Sequence, residues 1–328
     1  MKYVYVVISH NTDLYLKQSA ISIMSFLYHQ ENAEIILITD HETVMHNAKH
    51  MDFFINRGVI IKEVDIPEIY RKKGSAVISR FIKTNLYEYI DDDFLFIDSD
   101  TIICAPLNTN SEFSVKIGAV MNFHLFEDEN PNKTVHDKNA AMLGFHTNWN
   151  NIHFNSGILY VHQCPETEAF FHLWHKLWID GLEKDIYLDQ TSFNEANYRT
   201  EGLITELDGI WNCQLWPYSK SLRYLYNAKI LHYFSDDPEK IIIYDLSNSE
   251  LEKWDWDSDN GKICEIIRSP KTAFSSVKGY IINSTAEKVI QQSIAYHGLR
   301  NYYRKHKKSF TKIDRFLWNY YLIFKKNI

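Results

Sequence analysis

A four-residue apolar run of β-forming type, Phe94-Leu95-Phe96-Ile97, ends in Asp98-Ser99-Asp100 before the chain turns apolar again at Ile102-Ile103. A buried strand that stops at two carboxylates is restrictive. Side chains at i and i+2 of an extended chain share one face, so the pair is expected to form an oxygen-rich mouth suited to a hard divalent cation. The spacing alone is common here, because Asp-x-Asp also occurs at 91/93, 255/257 and 257/259. Of these, the pair at 98/100 is the one that follows a buried-strand run.

The preceding sequence supplies a framework for that strand. Residues 3–8 read as a buried strand, 14–28 as a helix and 35–38 as a strand ending at Thr39-Asp40; a helical stretch to about Arg57 and a strand over 59–64 follow. This alternation predicts an α/β fold with a mostly parallel central sheet flanked by helices. A helix over 77–90 delivers the chain into strand 94–97, placing Asp98 and Asp100 at a strand's carboxyl end, where open parallel sheets bind ligands. Residues 122–151 are polar, rich in Asn and His and weakly periodic, and read as a long excursion of functional rather than framework character. A strand over 158–161, helices over 166–180 and 189–198 and a strand over 230–234 come next. Beyond about 265 the chain reads helical, with a break near Ser269-Pro270. The expected division is a catalytic domain over 1–265 and a helical, basic appendage over 266–328.

Composition excludes several classes. The four cysteines form no C-x-x-C pair, which argues against a zinc knuckle or disulfide framework and fits a reducing compartment. Met1-Lys2 leads directly into Tyr3–Ile8, too short for a signal-peptide core, and no window approaches the roughly 18 uncharged apolar residues of a membrane span. Charge is unevenly spread: from Arg300 onward nine Lys/Arg face one acid, so the tail carries +8 and residues 1–299 carry −15 of the net −7. An acidic body disfavours nucleic acid as partner. A basic tail interleaved with Tyr302, Phe310, Trp318 and Phe324 fits the anionic inner leaflet of a membrane. The expected location is cytoplasmic and peripheral on that inner face. His172 and His175 share one helix face and read as structural.

Four further segments, in order, resemble the family 8 glycosyltransferases, retaining enzymes of the GT-A fold with nucleotide-sugar donors. Ser79-Arg80-Phe81 through Asp100 is similar to the family's arginine helix and Asp-x-Asp strand, and Phe154-Asn155-Ser156-Gly157 to its Phe-Asn-(Ser/Ala)-Gly strand. Leu188-Asp189-Gln190-Thr191 with Phe193-Asn194 resembles its Asp-Gln helix start, and His232 falls at its metal-binding histidine. The resemblance implies Mn²⁺ or Mg²⁺ held by Asp98, Asp100 and His232. It implies a UDP-sugar donor met by Ser9, Asn11, Arg80, Asp98, Ser99, Asn155 and Lys240, with Asp189 and Gln190 beside the transferred sugar. Arg80 would bring a permanently charged, bidentate donor to sugar or phosphate oxygens. Two departures stand out. Ser9 and His10 occupy the place of an acidic residue that meets the base, and Ser235–Lys240 lacks the family's Gly, Lys and Trp. The overall expectation is a divergent bacterial hexosyltransferase, similar to lipopolysaccharide and capsule galactosyl- and glucosyltransferases. It would move galactose or glucose onto a saccharide or lipid-linked saccharide of cell-surface polysaccharide or lipooligosaccharide. The alternatives are a haloacid-dehalogenase-type phosphohydrolase, whose Asp-x-Asp also ends an apolar strand, or a catalytically impaired, membrane-associated sugar-binding scaffold.

Overall fold

Strands β1 (Lys2–Val6), β2 (Ile35–Asp40), β3 (Ile60–Val64) and β4 (Phe94–Ile97) lie side by side and parallel in the computed structural model of the chain. The structure describes residues 1–10, 14–30, 32–107, 114–147, 149–215, 219–233, 251, 254–256, 261–271 and a few positions between 294 and 312. Asn11, Lys240 and most of the basic tail lie outside the described residues. The chain divides into two units, Met1–Gly279 and Tyr280–Ile328. In the second, the described residues include Tyr302, whose ring meets that of His306 at a centroid distance of 4.9 Å. Among the described residues no helix is long and apolar enough to cross a membrane.

The first unit is built on a seven-stranded sheet of order β3-β2-β1-β4-β7-β6-β8, completed by β6 (Ile117–Met121), β7 (Phe154–Val161) and β8 (Ile204–Glu206). Within it β7 alone runs against its neighbours. Every residue of β2, β4 and β7 is buried, as expected of strands covered on both faces, whose sequences read as continuous apolar runs rather than alternating ones. A smaller sheet, β5-β10-β9, is formed by β5 (Thr101–Ile103), β9 (Cys213–Gln214) and β10 (Ile230–His232). The helices Pro165–Leu182 and Asp189–Arg199 pack together through Phe170, Trp174 and Phe193, which belong to the same apolar core as Phe94 and Phe96 of β4.

Several elements depart from the sequence expectation. The helical stretch before β3 breaks at Asn47 into His41–His46 and Ala48–Ile55, and the helix before β4 breaks at Asn85 into Ser75–Thr84 and Leu86–Tyr89. β7 begins at Phe154, four residues ahead of the apolar run, because Phe154 and Asn155 pair with Met121 and Val120 of β6; tertiary pairing overrides the poor strand propensity of Asn-Ser-Gly. The excursion 122–151 holds a helix, Lys133–Leu143, and three 3₁₀ turns. His172 and His175, read as structural, each have a partner: His172 meets Glu88 Oε1 at 2.7 Å, and His175 Nδ1 meets Thr84 Oγ1 at 2.7 Å.

The largest departure is at Asp98-Ser99-Asp100. These residues are not extended: the chain leaves the large sheet at Ile97, bends, and enters the small sheet at Thr101. Strand alternation therefore does not orient the two carboxylates. The bend is held from within, since the Asp98 N–H donates to the Gly157 carbonyl at 2.8 Å and Thr101 Oγ1 donates to the Asp98 carbonyl at 2.8 Å. Thr101 in turn meets Ser22 Oγ at 2.7 Å, and Ser22 meets the buried Tyr5 hydroxyl at 3.1 Å. Replacing Thr101 by the near-isosteric valine leaves the Asp98 carbonyl without this buried donor. We expect Thr101→Val to lose about 1–3 kcal/mol, seen as a lowered urea midpoint with an unchanged slope.

Candidate active site

The carboxyl ends of β1 and β4, the residues after β6 and the amino end of β7 meet at one rim of the large sheet. They enclose a cavity of about 350 Å³ lined by Val6–Ile8, Phe96, Asp98–Asp100, Asn122, Phe123 and Asn155–Gly157, together with Arg80, Lys83, Asp189, Gln190 and His232 from elsewhere in the chain. This volume lies within the range of small-molecule sites.

The small sheet closes the site. β10 pairs antiparallel with β5, placing His232 opposite Thr101, and the Tyr233 N–H donates to the Asp100 carbonyl at 3.0 Å. His232 Nε2 lies 3.1 Å from Asp100 Oδ1, and Nδ1 lies 3.2 Å from Asn212 Oδ1. Asp98, Asp100 and His232 each present a ligand atom within 4.8 Å of the others. Two carboxylates and an imidazole make an oxygen- and nitrogen-rich set that fits Mn²⁺ or Mg²⁺. Gly157 makes the approach possible: a Cβ there would sit 2.6 Å from His232 Cε1 and 2.7 Å from Asp98 Oδ2.

The two acids of the bend differ in character. Burial pushes the Asp98 carboxyl up to about 6, and the charges of Asp100 and Asp189 act in the same direction while those of Lys83 and His232 oppose it. Burial acts on Asp100 too, but the charge and hydrogen bond of His232 outweigh it and hold that carboxyl below the ordinary range. Reciprocally, His232 is raised despite its burial, chiefly by Asp100. Splitting of this kind is expected where like charges share a desolvated site.

Asp189 anchors the other half. It is the first residue of its helix and makes no cap hydrogen bond of the N-cap type; Leu188 occupies that position. Its carboxylate accepts from Ser156 Oγ at 2.8 Å and faces Lys83 Nζ and Arg80 Nε, each at 3.5 Å. Burial opposes ionisation, but these cations and the hydroxyl keep the Asp189 carboxyl below its usual value. The helix is fixed by Trp174 Nε1 donating to the Asp189 carbonyl at 3.1 Å, and by Asn194, whose carboxamide clasps the Phe154 N–H at 2.7 Å and its carbonyl at 3.1 Å.

Lys83 is the residue that sequence reading does not single out. Its side chain is 9% exposed and its ammonium bridges Asp98 at 3.4 Å and Asp189 at 3.5 Å. Burial lowers its proton affinity, but the two carboxylates more than reverse this. The signal was its place three residues after Arg80, which puts both cations on one helix face.

The other expected donor residues fall as follows. Asn155 lines the cavity, but its Oδ1 accepts from Asn212 at 2.8 Å and from the Gly157 N–H at 2.9 Å, and its Nδ2 donates to Asn122 at 3.3 Å. Gln190 lines the cavity and meets His153 Nδ1 at 3.2 Å. Ser99 lines the cavity, whereas Ser9 is buried and is not among the residues that line it, its carbonyl accepting from Asn47 at 2.8 Å.

No protein-family model matches the chain, and no curated protein sequence matches it. Solved structures do. The galactosyltransferase LgtC, in complex with donor and acceptor sugar analogues, is similar over 84% of this chain and 97% of its own, with a TM-score of 0.50 at 16% identity. An active-site mutant of LgtC gives 0.51 over the same shares at the same identity. The chain has the GT-A fold. Mouse xyloside xylosyltransferase 1 in its apo form aligns over 73% of this chain and 99% of its own, at 11% identity and a TM-score of 0.48.

Within this GT-A framework, the close approach at Gly157 and the buried lysine give two expectations. Gly157→Ala forces His232 and Asp98 apart and should cost about 1–3 kcal/mol, measurable by chemical denaturation. Lys83→Met leaves the buried Asp189 and the partly buried Asp98 without their shared cation and should cost about 3 kcal/mol; a melting temperature equal to that of the parent would refute this account of the cluster.

Proposed function

We propose that the chain is a metal-dependent glycosyltransferase that moves a hexose, galactose or glucose, from a UDP-sugar to a saccharide acceptor with retention of configuration. The observation that carries this reading is the convergence of Asp98, Asp100 and His232 with Arg80, Lys83, Asp189 and Gln190 in one cavity at the carboxyl ends of parallel strands. A retaining hexosyltransferase needs a seat for the leaving diphosphate and polar groups around the transferred sugar, and the two halves of the cavity supply them. Mn²⁺ or Mg²⁺ seated on Asp98, Asp100 and His232 would supply Lewis-acid neutralisation of the departing diphosphate. Arg80 offers donors of fixed charge beside it. Gln190 presents a carboxamide to the sugar, next to Asp189.

Retention by way of a covalent intermediate would need a free carboxylate nucleophile. Asp189 is engaged by Ser156, Lys83 and Arg80 together, which lowers its nucleophilicity. This favours front-face displacement, in which the acceptor hydroxyl enters on the face from which the diphosphate leaves. The acceptor class, a saccharide or lipid-linked saccharide of a cell-surface polysaccharide or lipooligosaccharide, rests on the family resemblance. A peripheral position on the inner leaflet rests on the +8 tail from Arg300.

A thermal-shift series with UDP, UDP-galactose and UDP-glucose, with and without Mn²⁺, tests the core of this reading. Nucleotide at a hundredfold excess over Kd should stabilise the chain by about 2.7 kcal/mol, with Mn²⁺ required and with the effect lost in Asp100→Asn. Slow Mn²⁺-stimulated hydrolysis of one UDP-sugar should follow the same pattern. Strong turnover of simple phosphoesters, or no metal-dependent nucleotide shift, would overturn it.

A further inference from the structure

A second group of ionisable side chains borders the same cavity. Glu127 and His136, from the excursion after β6, and His153, immediately before β7, are all buried, with ligand-type atoms within 4.8 Å of one another. Glu127 is fully enclosed. Its Oε1 accepts from His136 Nδ1 at 2.8 Å, and its Oε2 has only a longer contact with Asn130 Nδ2 at 3.4 Å. Among the described residues no lysine or arginine pairs with it. A carboxylate enclosed beside a ring nitrogen acts as an orienting partner for that imidazole. The contact fixes the ring's orientation, and in the neutral imidazole a proton on Nδ1, facing the carboxylate, leaves the lone pair on Nε2.

That nitrogen is available. His136 lines the cavity, with 10% of its side chain exposed, and among the described residues nothing hydrogen-bonds Nε2. His153 stacks on the His136 ring with centroids 4.0 Å apart and planes 12° from parallel, and its Nδ1 meets Gln190 Nε2 at 3.2 Å. The ring that stacks on His136 therefore also meets, at its edge, the carboxamide beside Asp189. Stacked rings keep their in-plane lone pairs in separate, nearly parallel planes, so the two imidazoles cannot converge on one ion at the roughly 2.1 Å a metal needs. The site fits a hydrogen-bond donor rather than a cation. Phe123 adds an apolar wall to the cavity. It is held at φ 55°, a strained value for a bulky residue, by its N–H donating to Gln214 Oε1 at 2.7 Å and its carbonyl accepting from the Lys220 N–H at 2.9 Å.

We propose that the Glu127–His136 dyad is the acceptor-side subsite of the cavity: His136 Nε2 accepts a hydrogen bond from a hydroxyl of the acceptor sugar, and Phe123 packs against the sugar's apolar face. Glu127 and His153 are positioning residues for that imidazole. The proposal rests on the glycosyl-transfer reading, and its test is separable from it.

Saturation-transfer NMR of the full chain with methyl β-galactoside, methyl β-glucoside and lactose reads the acceptor side, while a UDP–Mn²⁺ thermal shift on the same samples reads the donor side. At least one glycoside should bind the parent, and should bind His136→Ala about tenfold more weakly, with the UDP shift unchanged. Glu127→Gln should weaken binding in the same direction. His136→Gln, whose amide reaches the Nε2 position, should restore most of it, and the shorter His136→Asn should not. Glycoside binding that depends on His136 in a chain showing no UDP shift would sink the donor reading and leave the subsite standing. The subsite is overturned if no glycoside binds the parent, if His136→Ala binds as the parent does, or if both signals fall together. It is also overturned if the parent takes up one Zn²⁺ that His136→Ala loses.

Discussion

The site depends on one pairing, that of β5 with β10. Because β4 is anchored in the large sheet and β5 in the small one, the residues between them form the joint of the two sheets, and β10 brings His232 to that joint opposite Thr101. The carboxylates are set by where two sheets meet rather than by the pleat of one strand. A joint held at both ends is a rigid platform, which a binding constellation needs if its geometry is to be fixed before the ligand arrives. The hydrogen bonds of Thr101, Gly157 and Tyr233 to the backbone of the bend do the fixing.

Charge in the cavity is arranged in a connected series: His232 on Asp100, then Asp98, Lys83, Asp189 and Arg80. Burying so many ionised groups is unfavourable unless each is paired, and the contiguity of the series is what meets this condition. The core beneath carries the cost, with Phe96 on one side and the Phe170–Trp174–Phe193 cluster on the other. The Trp174 indole N–H is spent on the carbonyl of Asp189, so the same aromatic side chain packs the core and fixes the site.

Much of this was legible in the sequence. β4 and its terminal acids, the parallel half of the sheet, the helix opening at Asp189 and the strand ending near His232 all announce themselves through apolar runs bounded by polar residues. The remainder is written in long-range contacts. The bend at Ser99 and the start of β7 at Phe154 are decided by pairing partners more than 30 residues away, against local propensity. Lys83 goes unmarked in the sequence because nothing local records that two carboxylates approach it. The excursion 122–151 carries no clean period because it is pinned side chain by side chain, for example by the buried Glu195, which accepts from the His146 N–H at 3.0 Å and from Trp149 Nε1 at 3.1 Å.

The reversed direction of β7 has a consequence for how this chain tolerates change in length. The parallel strands feed the rim from their carboxyl ends, so their amino-terminal connections lie at the far side of the sheet, remote from the chemistry. For β7 the polarity is inverted: Phe154–Gly157 stand at the rim, and the segment after Val161 leads away from it. Insertions and deletions should therefore be absorbed after β7 and before β1 or β4. A residue added ahead of Phe154 would instead fall among the anchors His146, Trp149 and His153, which hold the segment leading into the rim.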